Sequence, residues 1–201
     1  MTQATVTDTR GAIISAAFAC FRNVGLHKTT IVDIARAADV SRSTFYEYFR
    51  DKETVVAACA EAASQRFYRA MAKAIDRHGG STLEDRLVRA AVFVAQARQV
   101  VEPEAYFDEQ EVNLMLTKNG ATLLEECSAF LAPYIHAARV TGEVRSDLDI
   151  DTATEWFARM LFSLFTTPSP RFDMRADDAV AAFVRPYVVR GFIEDRATKP
   201  R

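Results

Sequence analysis

Glycine and proline are scarce in this chain of 201 residues, seven and six in all, and alternation of β-branched with polar residues is almost absent. Sandwiches and barrels need frequent turns and period-two strands, so an all-β architecture is excluded. Cys20, Cys59 and Cys127 are odd in number and far apart, which fits reduced thiols rather than a disulfide framework or a zinc site. His27, His78 and His136 are equally scattered, so no metal and no cofactor is expected. No apolar run approaches the roughly 18 residues that span a bilayer, and MTQATVTDTR lacks the basic start and apolar centre of a signal peptide. The cytoplasm is the expected location, with no membrane partner. Missing too are a glycine-rich phosphate loop, G-x-S-x-G and H-E-x-x-H. With no nucleophile, acid–base pair or cofactor loop on offer, catalytic residues are not expected and the chain reads as no enzyme.

What is present is apolar and periodic. Hydrophobic residues make up 49% of the chain, ample for a packed core. They recur at three- and four-residue spacing throughout, which predicts an all-α fold of about nine helices. The net charge of -2 is uneven: residues 1–52 hold seven Lys/Arg against five Asp/Glu, and the remainder 18 against 22. A basic head on an acidic body is the simplest description.

The first helix is expected from about Asp8 to Val24, ended by Gly25 in a left-handed cap. Thr30 and Asp33 have capping-box spacing for a second helix of about 31–38. Asp39 sits in the following tight turn, where it tolerates a left-handed backbone. Ser41 then caps a third helix over about 42–48. Two short helices joined by so short a turn make a helix-turn-helix, with Ile34, Ala35, Val40 and Phe45 spaced to pack inward.

In that motif the N-terminal residues of the second helix meet base edges in the major groove. Ser41, Arg42, Ser43 and Thr44 occupy that end: Arg42 suits guanine O6 and N7, and the hydroxyls suit bases or phosphates. Tyr46 and Tyr48 can offer hydroxyls to phosphates, Lys52 suits a phosphate point contact, and Thr30 stands at a helix N-terminus favourable to anions. Phe45 and Phe49 point inward. The bland alternative is a packed, aromatic-rich surface helix.

Residues 13 to 55, IISAAFACFRNVGLHKTTIVDIARAADVSRSTFYEYFRDKETV, closely resemble the DNA-binding domain of TetR-family transcriptional regulators. The shared pattern is G-[hydrophobic]-x-x-T-T-[hydrophobic]-x-x-I-A followed by V-S-x-x-[ST]-[hydrophobic]-Y-x-[HY]-F-x-x-K-[ED]. The departure is Asp39, where that family usually carries glycine. The resemblance implies that Thr30, Ser41, Arg42, Ser43, Thr44, Tyr46, Tyr48 and Lys52 contact DNA. It also implies a DNA-binding domain over 1–52 and a helical ligand-binding and dimerisation domain over 53–201.

For that second domain the pattern predicts a fourth helix from Asp51 to about Arg77, with Asp51 and Thr54 at its cap. The next is capped by Ser81 with Glu84, or Thr82 with Asp85, and reaches about Arg98. A short helix near Glu102-Pro103 is expected after it, then helices over about 119–141, from Asp149 or Asp151 to about 166, and over about 176–195. The resemblance implies a homodimer through the last two. Trp156, Met160 and Leu164, then Phe183 and Tyr187, give those helices apolar faces suited to an interface or to the subunit's own core. Phe67, Met71, Phe93, Phe130 and Tyr134 could line an apolar effector cavity, with Tyr106 and Phe107 at its mouth; each could equally be ordinary core. Glu102, Glu104, Asp108, Glu109 and Glu111 form an acidic cluster that reads as a solvated face or as a lining for a cationic ligand. WFARMLFSLFTTPS is similar to late helices of family members that take acyl-thioesters or other lipophilic metabolites. The expected function is a repressor that binds a palindromic double-stranded operator as a dimer and is released by a small lipophilic effector. The alternative is an architectural or interaction protein with the same head and no effector.

Overall fold

Thr30 begins the first cap that organises the chain, and the helices around it follow from similar local signals. A computed structural model describes residues 3–77, 82–104, 119–187 and 191–193. Among the described residues there are eight helices: α1 (Gln3–Val24), α2 (Ile31–Ala37), α3 (Arg42–Tyr48), α4 (Lys52–Ile75), α5 (Leu83–Glu104), α6 (Gly120–Val140), α7 (Ile150–Thr166) and α8 (Asp177–Tyr187). The fold is all-α. Backbone contacts divide it into two compact units, one of residues through Phe67 with Glu104, the other of Tyr68–Pro103 and the described residues from 119 on.

In the first unit the side chains at three- and four-residue spacing converge. Ile13, Ala17, Phe18 and Phe21 of α1, Ile34 and Ala35 of α2, Phe45 and Phe49 around α3, and Val55 and Cys59 of α4 form one buried cluster. Burying a phenylalanine of this kind contributes about 1.5–3 kcal/mol. Gly25 ends α1 with φ +90°, and its N–H donates to the Phe21 carbonyl at 2.9 Å. The Asp51 carboxylate accepts from the Thr54 N–H at 2.8 Å, while the Asp51 N–H donates to the Thr54 hydroxyl at 3.3 Å, closing the start of α4.

The second unit uses the same chemistry and adds long-range ties. Thr82, paired with Asp85, caps α5, which settles the two alternatives left by the sequence: the Asp85 N–H donates to the Thr82 hydroxyl at 3.2 Å. The first amide of α5, that of Leu83, donates to the Glu143 carboxylate at 2.7 Å. Arg89 donates to the Ile75 carbonyl at the end of α4, at 2.9 Å. Asp149 caps α7 by accepting from the Thr152 N–H at 2.8 Å. Arg185 of α8 pairs with Glu84 and, at 3.7 Å, with Asp85.

Two element boundaries differ from expectation. α5 continues through Glu104, so Pro103 lies in its last turn rather than opening a helix of its own. The final helix does not extend to 195. Residues 191–193 leave it: Ile193 forms an antiparallel bridge with Val144, and the Arg145 N–H donates to the Phe192 carbonyl at 3.1 Å. Phe192 is buried, its ring 6.1 Å from both Trp156 and Phe157. Backbone pairing and the burial of that ring replace helical hydrogen bonds there.

Candidate nucleic-acid interface

α2, the turn and α3 are fixed by hydrogen bonds that leave one face of α3 outward. Thr30 and Asp33 form a full capping box: the Asp33 N–H donates to the Thr30 hydroxyl, and the Thr30 N–H donates back to the Asp33 carboxylate at 3.0 Å. The Thr30 hydroxyl, donating to the Asp33 carboxylate, and then the Thr30 N–H hold that carboxyl below the usual carboxylate range. At the other end of α2 the Val40 N–H bonds to the Ala35 carbonyl at 3.0 Å and the Asp39 N–H to the Arg36 carbonyl at 3.2 Å. This is a Schellman closure with Asp39 at φ +54°, a left-handed position that aspartate tolerates better than most residues. The departure from glycine therefore leaves the turn intact.

Ser41 caps α3, its Oγ accepting from the Thr44 N–H at 3.0 Å. The same Oγ lies 2.7 Å from the Ser43 hydroxyl and 2.9 Å from that of Thr44. The three hydroxyls are thus already organised around the helix start. Phe45, fully buried, and Phe49, at 3%, anchor the opposite side, and the guanidinium of Arg10 lies 5.3 Å from the Phe49 ring centroid. Arg42, Ser43 and Tyr46 stand exposed, Tyr46 at 53%. Thr30 and Ser41 are exposed, while Thr44, Tyr48 and Lys52 are half-buried. Lys52 reaches back across the sequence to donate to the His27 carbonyl at 3.3 Å, which brings its ammonium to the loop that leads into α2. All eight sequence-predicted contacts lie in this unit, and none is buried. Thr30 is the one whose hydroxyl is already spent on a carboxylate, at 2.6 Å from Asp33. Glu47, outward on the same helix, was passed over in the sequence because the pattern leaves its position open.

Residues 13–59 match the family model of bacterial regulatory proteins of the tetR family. That match covers the helix-turn-helix head, about a quarter of the chain. Over 144 residues it is 26% identical to the HTH-type transcriptional regulator BetI of Pectobacterium atrosepticum, covering 71% of this chain and 67% of that protein. Over 104 residues it is 30% identical to BetI of Yersinia pestis, covering 52% and 46%. The chain thus spans about half to two thirds of the curated relatives it matches. A solved TetR-family transcriptional regulator from Pectobacterium atrosepticum shares the fold across both whole chains, at 22% identity and a TM-score of 0.67. The head described above is accordingly similar to the DNA-binding domains of TetR-family transcriptional regulators.

In the second unit the sequence-predicted residues fare differently. Met71 is fully buried, while Phe93, Phe130 and Tyr134 are half-buried. Phe130 stacks on Tyr68 at 5.1 Å and meets Tyr134 at 5.8 Å, and the Tyr134 hydroxyl donates to Asp76 at 3.3 Å. Phe67, half-buried, belongs to the first unit. Tyr106 and Phe107 lie outside the described residues, as do the side chains of the acidic cluster from Glu102 to Glu111. Of the expected interface, Trp156 is 43% exposed and Phe183 37%, Met160 is half-buried, and Leu164 at 7% is core of its own subunit. The side chain of Tyr187 lies outside the described residues. A groove of about 990 Å³ runs between α6 and α7, walled by Leu124, Ser128, Ala132, Thr154, Glu155 and Phe162. None of the described cavity candidates lines it. No described helix is long and apolar enough to cross a membrane.

Proposed function

We propose that this chain is a ligand-responsive repressor that binds a palindromic operator as a homodimer and is released by a small lipophilic effector. The observation that carries the reading is the outward face of α3: Arg42, Ser43 and Tyr46 exposed on a helix whose other side is pinned by buried Phe45 and Phe49. A rigid helix with hydroxyls and a guanidinium at its start is suited to the major groove. Thr30, Ser41, Thr44, Tyr48 and Lys52 complete the proposed contacts, with Lys52 serving phosphate. The functional division falls near residue 52, with α4 joining the DNA-binding part to the rest.

Two features of the second unit support the finer parts. Trp156 and Phe183 leave large apolar surface open on the last two helices, as a subunit interface requires. The half-buried rings of Phe93, Phe130 and Tyr134 suit an apolar effector. Effector coupling of about 1–3 kcal/mol would change operator affinity by roughly 5- to 150-fold. The protein acts in the cytoplasm, where its operator is.

Fluorescence anisotropy on duplexes from upstream of the chain's own gene tests this, with a scrambled duplex alongside. Tyr46→Ala and Lys52→Ala are expected to weaken specific binding while helicity by circular dichroism stays unchanged. Lys52→Ala should also lower the salt slope by about one. Unchanged affinity in both variants would refute the groove contacts.

A further inference from the structure

On α3 the exposed residues are Arg42, Ser43, Tyr46 and Glu47. At about 100° per residue these four fall on one arc of roughly 140°. Three of them are suited to DNA; the fourth is an acid that would face a polyanion. Its neighbours do not account for it. Asp33 is held by Thr30, and Asp51 by Arg50 at 2.8 Å and by Thr54. Glu47 makes no hydrogen bond or ion pair among the described residues. Arg50, one turn on, is committed to Asp51. Nor does the helix favour it: Glu47 lies in the last turn, where the helix dipole disfavours negative charge.

A free carboxylate on a groove-facing surface has one productive partner there. It only accepts hydrogen bonds, and in the major groove cytosine's own edge offers an amino donor and no acceptor, whereas adenine's amino group stands beside N7. We propose that Glu47 is a specificity-determining residue that accepts a hydrogen bond from a cytosine N4 amino group in each operator half-site. This rests on the DNA-binding reading above. Glu47 weakens binding to DNA in general and recovers it where cytosine is present, so it rejects wrong sites more than it strengthens right ones.

The test is selection of bound duplexes from a random library by the full-length protein and by its Glu47→Gln and Glu47→Ala variants, followed by anisotropy on the selected site and on the same site with that cytosine replaced. The natural protein should select a fixed cytosine at symmetric positions and lose about 5-fold or more when it is replaced, the lower end of what a base contact contributes. Glu47→Gln should shift that position towards adenine, whose amino group and N7 suit an amide. Glu47→Ala should bind with the position degenerate. Identical selected sites for all three proteins, or a uniform gain for Glu47→Ala on every duplex, would overturn the assignment while leaving the DNA-binding reading standing. Absence of any sequence preference in the natural protein would overturn both.

Discussion

The two units differ in how many of their aromatic rings they leave partly open. In the first unit Phe18, Phe21, Phe45 and Phe49 are all within 4% of complete burial, and Phe67 is half-buried. From Tyr68 on, Phe157 and Phe192 are as deeply buried, but Tyr68, Phe93, Phe130, Tyr134 and Phe172 are half-buried, and Trp156 and Phe183 are open. The first unit uses its rings to hold a surface still, and its exposed ring, Tyr46, is on that surface. The second keeps apolar surface available. On the proposed function, a part that reads a fixed lattice of phosphates and bases gains from rigidity, whereas a part that admits an effector or pairs with a second subunit has to leave contacts unmade.

The largest effect that would test the contrast is a cavity in each unit. Phe45→Ala should cost about 3–5 kcal/mol of unfolding free energy, read by urea denaturation, because its ring is fully enclosed. Phe130→Ala, in a half-buried stack with Tyr68 and Tyr134, should cost clearly less. Equal losses would break the distinction.

Acid should act through the caps. Asp33, Asp51 and Asp149 all have carboxyls held below their ordinary range, chiefly by hydrogen bonds from Thr30, Arg50 and Thr152 respectively. A depressed folded value means stabilisation that is complete above the unfolded value, about 3.9, and is lost as pH falls through the folded one. Thermal melts between pH 7 and 2.5 should therefore decline below about pH 4. Asp51→Asn keeps the capping oxygen but cannot titrate, so it should flatten part of that decline. An unchanged slope would mean that this cap contributes nothing to acid sensitivity.

The smallest effect shows where the units are alike. Burial pushes the thiols of Cys59 and Cys127 up to about 12. Both should resist alkylation in the native protein at neutral pH and react only on unfolding. Rapid labelling of Cys127 alone would show that the second unit opens locally there.

The sequence was most legible where structure is local. Thr30 with Asp33, Ser41 with Thr44, and Asp51 with Thr54 are all three residues apart, and the left-handed Asp39 lies in a turn whose partners are within five. Such features need no knowledge of the rest of the molecule. The end of α8 was misread because it depends on Val144, some fifty residues away in sequence, and on a pocket for Phe192. Leu164 and Trp156 look alike in a helical stripe. Only the packing of neighbouring segments against α7 determines that one is sealed and the other open. Glu47 was overlooked for a different reason: a pattern that permits any residue at a position hides what the residue there does.

One hydrogen bond carries a consequence for the order of events after synthesis. The first amide of α5 is closed by Glu143, sixty positions further along, and Glu143 is itself steadied by the Thr141 hydroxyl at 2.9 Å. Closing a loop of that size costs chain entropy that the short-range ties of α1 to α3 do not incur. The start of α5 therefore stays unfinished until the stretch after α6 has been made, while the head already has every partner its caps require. A nascent chain interrupted between the two would carry a formed reading head on a body still waiting for its carboxylate.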